Sequence, residues 1–405
     1  MNKFLFLISI ISLSFTSIGQ NISEDSIYFE RANSYRTYKV WTPEDYDPSQ
    51  KYIPIYCLDA SLLFNVTWAN AEILSWAEIG EIPPVIVVGV FFDQRNDDMT
   101  INWENGSLGP QGIAFKEFLF NDVHEEVSSS YNVSYYSVVV GHSNSSTYIQ
   151  DLLLDDETPF SGYIGMSQYE IPTLYKEFNK DHSEKDYVFT SASEDAPFRY
   201  ESGFKLEQYL DSIQPLNLNY THLAIEGADH ISMVNWTIAN ALERLFAPYN
   251  SFLSDSIDFD SVQVSPLTLT ENILKRRDEK YGTGMTWGWN ELNFLYDAQI
   301  AMKDSIGISV STMKYAELFP EYHDEYFLEG QILEQMGAYH TAEKSYLTHF
   351  EVFEEPGEWS FKRIIWLYAF KLNRVEEAMI WCDKAIENLG LETFVELRKE
   401  LEELD

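Results

Sequence analysis

Hydrophobic and polar positions change rhythm part-way along this chain. From about Ser34 to Ala247, short β-rich runs alternate with amphipathic helical stretches. Tyr35–Thr42, Ile53–Leu58, Val85–Phe91, Ser137–Val140, Gly162–Met166, Tyr187–Thr190 and His222–Ile225 read as strands. Several are apolar at almost every position, as in Val85-Ile86-Val87-Val88 and Val138-Val139-Val140, the pattern of a strand covered by helices on both faces. Between them, Phe115–Ser129, Ser145–Leu154 and Gly203–Ile213 carry helical spacing. This alternation predicts the α/β class, an open, mostly parallel sheet with right-handed crossovers.

After about Tyr249 the strand pattern stops. The serine- and aspartate-rich Asn250–Asp260 reads as a linker. Beyond it the spacing turns helical and recurs. Tyr326-Phe327-Leu328-Glu329-Gly330 leads to Gln335-Met336-Gly337-Ala338-Tyr339, then Ala342 and Tyr346; Trp366-Leu367-Tyr368-Ala369 leads to Asn373-Arg374-Val375, then Ala378 and Ala385. These units resemble tetratricopeptide repeats, paired helices with small residues where they cross. A degenerate earlier unit is expected from Trp289 to Pro320. A generic all-α helical bundle is the alternative.

Composition narrows the setting. With 45% hydrophobic and 15% aromatic residues in 405, the chain has material for more than one core. Lys3, the apolar run Phe4–Phe15 and Ser17-Ile18-Gly19 together predict a cleaved export signal, with Gln20 as the mature N-terminus. The run is shorter than the roughly 20 residues a membrane span needs. Against 27 basic residues stand 65 acidic ones, a net charge of −38, which disfavours nucleic acid and anionic membrane as partners. Cys57 and Cys382 fall in different domains and are expected as buried free thiols.

The candidate chemistry lies at Val138-Val139-Val140-Gly141-His142-Ser143-Asn144-Ser145: a strand, a tight turn and a helix start. That is the context of a nucleophile elbow, with Ser143 at its tip and small residues at 141 and 145. Ser145 stands where a second glycine is usual. The backbone N–H of Asn144, at a helix N-terminus, can donate to a developing oxyanion. A serine hydroxyl needs a base, and His230, after His222-Leu223-Ala224-Ile225 and before the helix Val234–Phe246, is in the right order. His222 reads as structural, and His142 is expected to face elsewhere. The orienting acid should follow Tyr187–Thr190; Glu194 is preferred, with Asp195 its close competitor. A second oxyanion donor is expected from the loop after Ile55–Leu58, a backbone N–H near Ala60 or Ser61, with Asp59 bracing the loop. Asp93, Asp97 and Asp98 form an acidic loop without a regular ligand spacing, and no Cys/His zinc spacing or phosphate-binding glycine loop is present. Trp68, Trp76 and Trp103 read as core rather than pocket.

Tyr38–Tyr46, Tyr56-Cys57-Leu58-Asp59, Val87-Val88-Gly89-Val90, Arg95–Thr100, Gly141–Ser145 and Asp229-His230 resemble the family called "putative esterase", a group similar to esterase D and the siderophore esterases. The resemblance covers about residues 30–250, and the tail is similar to the repeat extension of some exported bacterial members. It implies an α/β-hydrolase fold, no metal or organic cofactor, and cleavage of carboxylic esters through an acyl-enzyme. Carried over by position, Ser143 is the nucleophile, His230 the base, and the acid falls at Glu194 or nearby. The expected domains are a signal over 1–19, the hydrolase domain over 20–249, a linker over 250–285 and a tetratricopeptide-like helical domain over 286–405.

The function expected is an exported serine ester hydrolase whose partner is a small-molecule ester: a siderophore ester, an acylated carbohydrate or a short-chain acyl ester. The alternative is a catalytically weak or inactive hydrolase scaffold that binds a protein partner through its helical repeats.

Overall fold

A computed structural model describes residues 21–403 apart from 61–65, 93–94, 103, 180–182 and 250–256, and leaves the side chains of 66–69 undescribed. The expected signal segment 1–19 lies outside the described residues. The chain divides into two compact units, Met1–Ser251 with Arg277–Gly284, and Phe252–Arg276 with Met285–Asp405.

The first unit is built on eight strands: β1 Asn21–Phe29, β2 Ser34–Thr42, β3 Ile53–Cys57, β4 Val85–Val90, β5 Val138–His142, β6 Gly162–Met166, β7 Lys185–Ala192 and β8 Leu218–Ile225. They form one sheet in the order β1-β2-β4-β3-β5-β6-β7-β8. β1 pairs with β2, and β2 with β4, antiparallel; all other pairs are parallel. This is the mostly parallel sheet the alternation predicts.

The continuous apolar strands are explained by burial on both faces. In β3, Ile53, Ile55 and Cys57 enter one core with Val85, Val87, Val138 and Val140, while Tyr56 enters the other with Ile86, Val88 and Val139. Burying each such Val or Ile contributes about 1.5–3 kcal/mol, so neither face tolerates a polar substitution. Glycine is required where layers approach most closely. A Cβ on Gly141 of β5 would lie 2.6 Å from the backbone C and O of Ser145, in the helix Asn144–Leu153.

Within the stretch expected as linker, Pro266–Tyr281 is a helix that begins with the N-terminal proline position that favours helix starts. Its end belongs to the first unit. Tyr281 is fully buried, ring against Tyr136 and Phe246 at centroid distances of 5.0 and 5.5 Å, and Lys280 Nζ reaches Asp186 Oδ2 at 3.0 Å.

The second unit is helical. Glu325–Gln335 packs on Tyr339–Val352, and Val375–Leu389 on both Glu358–Trp366 and Glu392–Glu402. The small residues read as crossing points are buried: Ala342, Ala378 and Ala385 are fully covered, and a Cβ on Gly330 would enter the ring of Tyr346. Glu334, buried beside them, accepts from Arg363 Nε at 2.8 Å and Tyr346 OH at 3.0 Å. Among the described residues no helix is long and apolar enough to cross a membrane.

Candidate active site

The carboxyl ends of the parallel strands β5, β6 and β7, with the loop after β8, bring the candidate residues together. This is where ligands bind in open α/β sheets. Ser143 follows β5 directly, at φ 62° and ψ −118°, immediately before the helix Asn144–Leu153. A non-glycine residue in that region stores roughly 1–3 kcal/mol of strain and needs its surroundings to hold it. The Ser143 N–H donates to Met166 O at 2.8 Å. Ser145 Oγ accepts from the His142 N–H at 2.8 Å and donates to His142 O at 2.9 Å. The serine that replaces the usual glycine thus ties the turn together from inside the helix. The helix start leaves the Asn144 N–H at the positive end of its dipole, as expected of an oxyanion donor.

His230 lies on the loop after β8. Its Nδ1 is 3.1 and 3.0 Å from Oδ1 and Oδ2 of Asp195, not Glu194. The carboxylate that meets the ring is thus that of the close competitor, Asp195, and not that of the preferred Glu194. β7 ends at Ala192 and the chain turns, Asp195 N–H donating to Ala192 O at 3.1 Å, so the side chains at 194 and 195 leave the turn in different directions. Glu194 contributes its backbone N–H to Ala228 O at 2.9 Å and so anchors the His230 loop. The Asp195 side chain is 3% exposed and that of His230 34%. Burial pulls the Asp195 carboxyl upward, but hydrogen bonds from His230, Ser167 Oγ at 2.5 Å and the Ala196 N–H at 2.7 Å outweigh it, leaving it below the usual carboxylate range.

His142 does not face elsewhere. Its ring lies 4.6 Å, centroid to centroid, from that of His230, and its Nε2 donates to His230 O at 2.7 Å. Burial and the neighbouring His230 push its pKa down to about 4, so it is a neutral brace at ordinary pH. His222 is structural, held between Glu207 Oε2 and Ser191 Oγ, each at 2.9 Å.

The loop after β3 differs in one respect from expectation. The Ala60 N–H donates to Val90 O at 3.1 Å, extending the ladder beyond β3, and is not available to an oxyanion. Ser61, the other candidate, lies outside the described residues. Asp59, at φ 60°, is held by Arg95 through Nε at 2.5 Å and Nη2 at 2.8 Å, and the same Nη2 reaches His142 O at 3.3 Å. Asp59 does brace its loop, and Arg95 carries that brace to the elbow.

No hydrogen bond joins Ser143 Oγ to His230 among the described residues, a looseness common before substrate binds. Sequence reasoning also missed Ser167, which follows β6 with its Oγ 3.0 Å from His230 Nδ1. The available signal was its position, directly after the apolar run Gly162–Met166 at the carboxyl end of a central strand. Of the acidic loop, Asp98 pairs with Arg36 at 3.0 Å and Asp93 lies outside the described residues. Trp76 packs on the core; Trp103 and the side chain of Trp68 are outside the description. Cys57 and Cys382 are free and buried, burial first among the causes that raise their thiols to about 12 and about 11.

An eight-stranded, mostly parallel sheet with a strained serine turn at the end of a central strand defines an α/β-hydrolase fold. Residues 30–160 match the family model described as "Putative esterase". That match includes the elbow and ends before Ser167, Asp195 and His230; over it the esterase resemblance is borne out. Among solved structures, an uncharacterised protein from Capnocytophaga ochracea DSM 7271 is 18% identical with a TM-score of 0.63, covering 86% of this chain and 100% of its own. An IroE-like serine hydrolase from Shewanella oneidensis is 19% identical with a TM-score of 0.56, covering 70% of this chain and 95% of its own. At such identities the likeness is one of fold. No curated protein matches the chain.

Proposed function

We propose that this chain is an exported serine carboxylic ester hydrolase acting through an acyl-enzyme. The observation that carries the reading is the His230–Asp195 pair against a strained serine elbow. His230 Nδ1 is fixed by Asp195 at 3.0 Å while its ring abuts that of His142, the residue preceding Ser143.

In the first step Ser143 Oγ attacks the ester carbonyl carbon as His230 Nε2 takes the hydroxyl proton, and Asp195 stabilises the imidazolium formed. The Asn144 N–H donates to the carbonyl oxygen as it becomes an oxyanion. His230 returns the proton to the leaving alkoxide, the alcohol departs, and the acyl group stays on Ser143. Water then attacks that ester with His230 as base, releasing the acid and restoring the serine.

The test combines a fluorophosphonate probe with a p-nitrophenyl ester. The parent protein should be labelled on Ser143 and hydrolyse the ester; Ser143→Ala should do neither and keep its melting temperature. Turnover persisting in Ser143→Ala would sink the mechanism, and a parent that is neither labelled nor active would favour the inactive-scaffold reading. Export is tested by mass spectrometry of protein from the expressing cell, with a mature chain starting at Gln20 expected.

A further inference from the structure

Three groups at the site form a closed triangle. Ser167 Oγ is 2.5 Å from Asp195 Oδ2 and 3.0 Å from His230 Nδ1, and that nitrogen is 3.0 Å from Asp195 Oδ2. The protons in this triangle can be assigned. An ionised carboxylate has lone pairs only, so at 2.5 Å the Ser167 hydroxyl must donate to it. The hydroxyl has one proton, so only a lone pair remains to face His230. Nδ1 therefore meets lone pairs from both neighbours and must carry a hydrogen, which leaves Nε2 unprotonated in the neutral ring.

The Ser167 backbone is pinned for this task. It sits at φ 58°, its N–H donates to Thr190 O at 3.0 Å, and its carbonyl accepts from Arg199 Nη1. Arg199 is itself 7% exposed, with its guanidinium 3.9 Å above the Tyr169 ring. The hydroxyl is thus aimed by the loop rather than by solvent.

We propose that Ser167 is a positioning residue: it holds the Asp195 carboxylate against His230 and locks the imidazole in the tautomer that can accept a proton from Ser143. The role rests on the serine-hydrolase reading for its consequence in turnover. Its physical content, a tautomer lock, does not.

Ser167→Ala and Ser167→Gly, the second free of any penalty at positive φ, are the two variants. Each should lower kcat for a p-nitrophenyl ester about 10-fold, the scale of one charge-assisted hydrogen bond, with KM within about twofold. In an Asp195→Ala background, removing the hydroxyl should cost clearly less, because without the carboxylate to donate to, the hydroxyl 3.0 Å from Nδ1 no longer has its proton committed and does not fix the tautomer. An unchanged kcat, or an equal loss in both backgrounds, overturns the proposal. Proton NMR of the Ser143→Ala protein reads the lock without turnover. The downfield Nδ1 proton of His230 should shift or broaden when Ser167 is replaced, and an unmoved resonance also overturns it. If the parent hydrolyses nothing and takes no probe, the serine-hydrolase reading fails alone, and the resonance still decides the role of Ser167.

Discussion

Replacing Asp195 by asparagine changes one oxygen for an amide nitrogen in a place where the structure counts every proton. Asp195 Oδ1 accepts from the Ala196 N–H at 2.7 Å, a donor that cannot reverse. The asparagine must keep its oxygen there and put its NH2 where Oδ2 was. Ser167 can rotate its hydroxyl to accept from that NH2. His230 Nδ1–H then faces the NH2 at 3.0 Å and keeps an acceptor only in the oxygen at Oδ1, 3.1 Å away and already taken by the Ala196 N–H. The ring relieves the clash by moving its proton to Nε2, the nitrogen required to take the proton from Ser143. A wrong tautomer of this kind costs roughly 10²–10⁴ in kcat, about 3–5 kcal/mol of transition-state stabilisation. The assay is initial rates on a p-nitrophenyl ester beside the labelling rate with a fluorophosphonate, and both should fall together. Glu194→Gln is the control, expected within about threefold of the parent because its backbone, not its carboxylate, is engaged. A collapse of activity in Glu194→Gln with Asp195→Asn intact would refute the reasoning.

Gly141→Ala should abolish fluorophosphonate labelling and lower the melting temperature, because the new Cβ would lie 2.6 Å from the backbone of Ser145; such overpacking costs about 1–3 kcal/mol or more. His142 should make folding acid-sensitive. Its folded pKa is about 4 against 6.5 for an ordinary histidine, so between those values the unfolded chain binds a proton the folded one refuses. Its contribution is complete above 6.5 and lost as pH falls towards 4, up to about 3 kcal/mol. Urea titrations at pH 7 and pH 4.5 should therefore differ less in His142→Gln, which keeps a donor for His230 O, than in the parent; an equal difference counts against it. Asp186→Ala should destabilise the first unit by about 2–3 kcal/mol. It strands the buried Tyr136 hydroxyl, 2.7 Å away, together with Asn219 Nδ2 and Lys280 Nζ, and an unchanged urea midpoint would show that Lys280 does not anchor there.

What the sequence made legible follows from where water is excluded. β3, β4 and β5 are apolar at nearly every position because helices cover both faces, and their boundaries fall within a residue or two of the pattern. β1 was invisible for the opposite reason. Asn21–Phe29 is an exposed edge strand with acids at 24 and 25, and it exists by pairing with β2 across a turn at Asn33, φ 48°. The helix Pro266–Tyr281 was hidden inside a presumed linker by its polar composition, although Tyr281 and Lys280 fasten its end into the first unit. Ser143 and His230 were readable because each needs a particular setting, strand-turn-helix for one and a loop after the last strand for the other. The acid was not, since a turn directs adjacent carboxylates apart and composition carries no sign of which one meets the ring. The Ala60 amide was misjudged because the ladder runs on past the residue where the apolar run ends.

The replacement of glycine by serine at 145 finds its explanation in how this edge of the sheet is finished. Parallel strands end with N–H and C=O groups that no further ladder can satisfy, and burying them unpaired costs about 1–3 kcal/mol each. Here hydroxyls take up several. Ser145 Oγ serves both backbone groups of His142, Thr147 Oγ1 accepts from the Tyr169 N–H at 2.9 Å, and Ser193 Oγ accepts from the Gly227 N–H at 2.8 Å. Glycine at 145 would clear space but leave the His142 N–H without this acceptor. The close approach to the helix backbone is made at position 141, where a Cβ would lie 2.6 Å from the backbone of Ser145. The same device places Ser167 Oγ on Asp195, one strand further along, where the group it satisfies is the carboxylate itself. Departure from the glycine pattern therefore does not argue for a decayed site. A glycine at 145 should loosen the elbow and slow labelling of Ser143, whereas a decayed elbow would gain from having its usual residue restored.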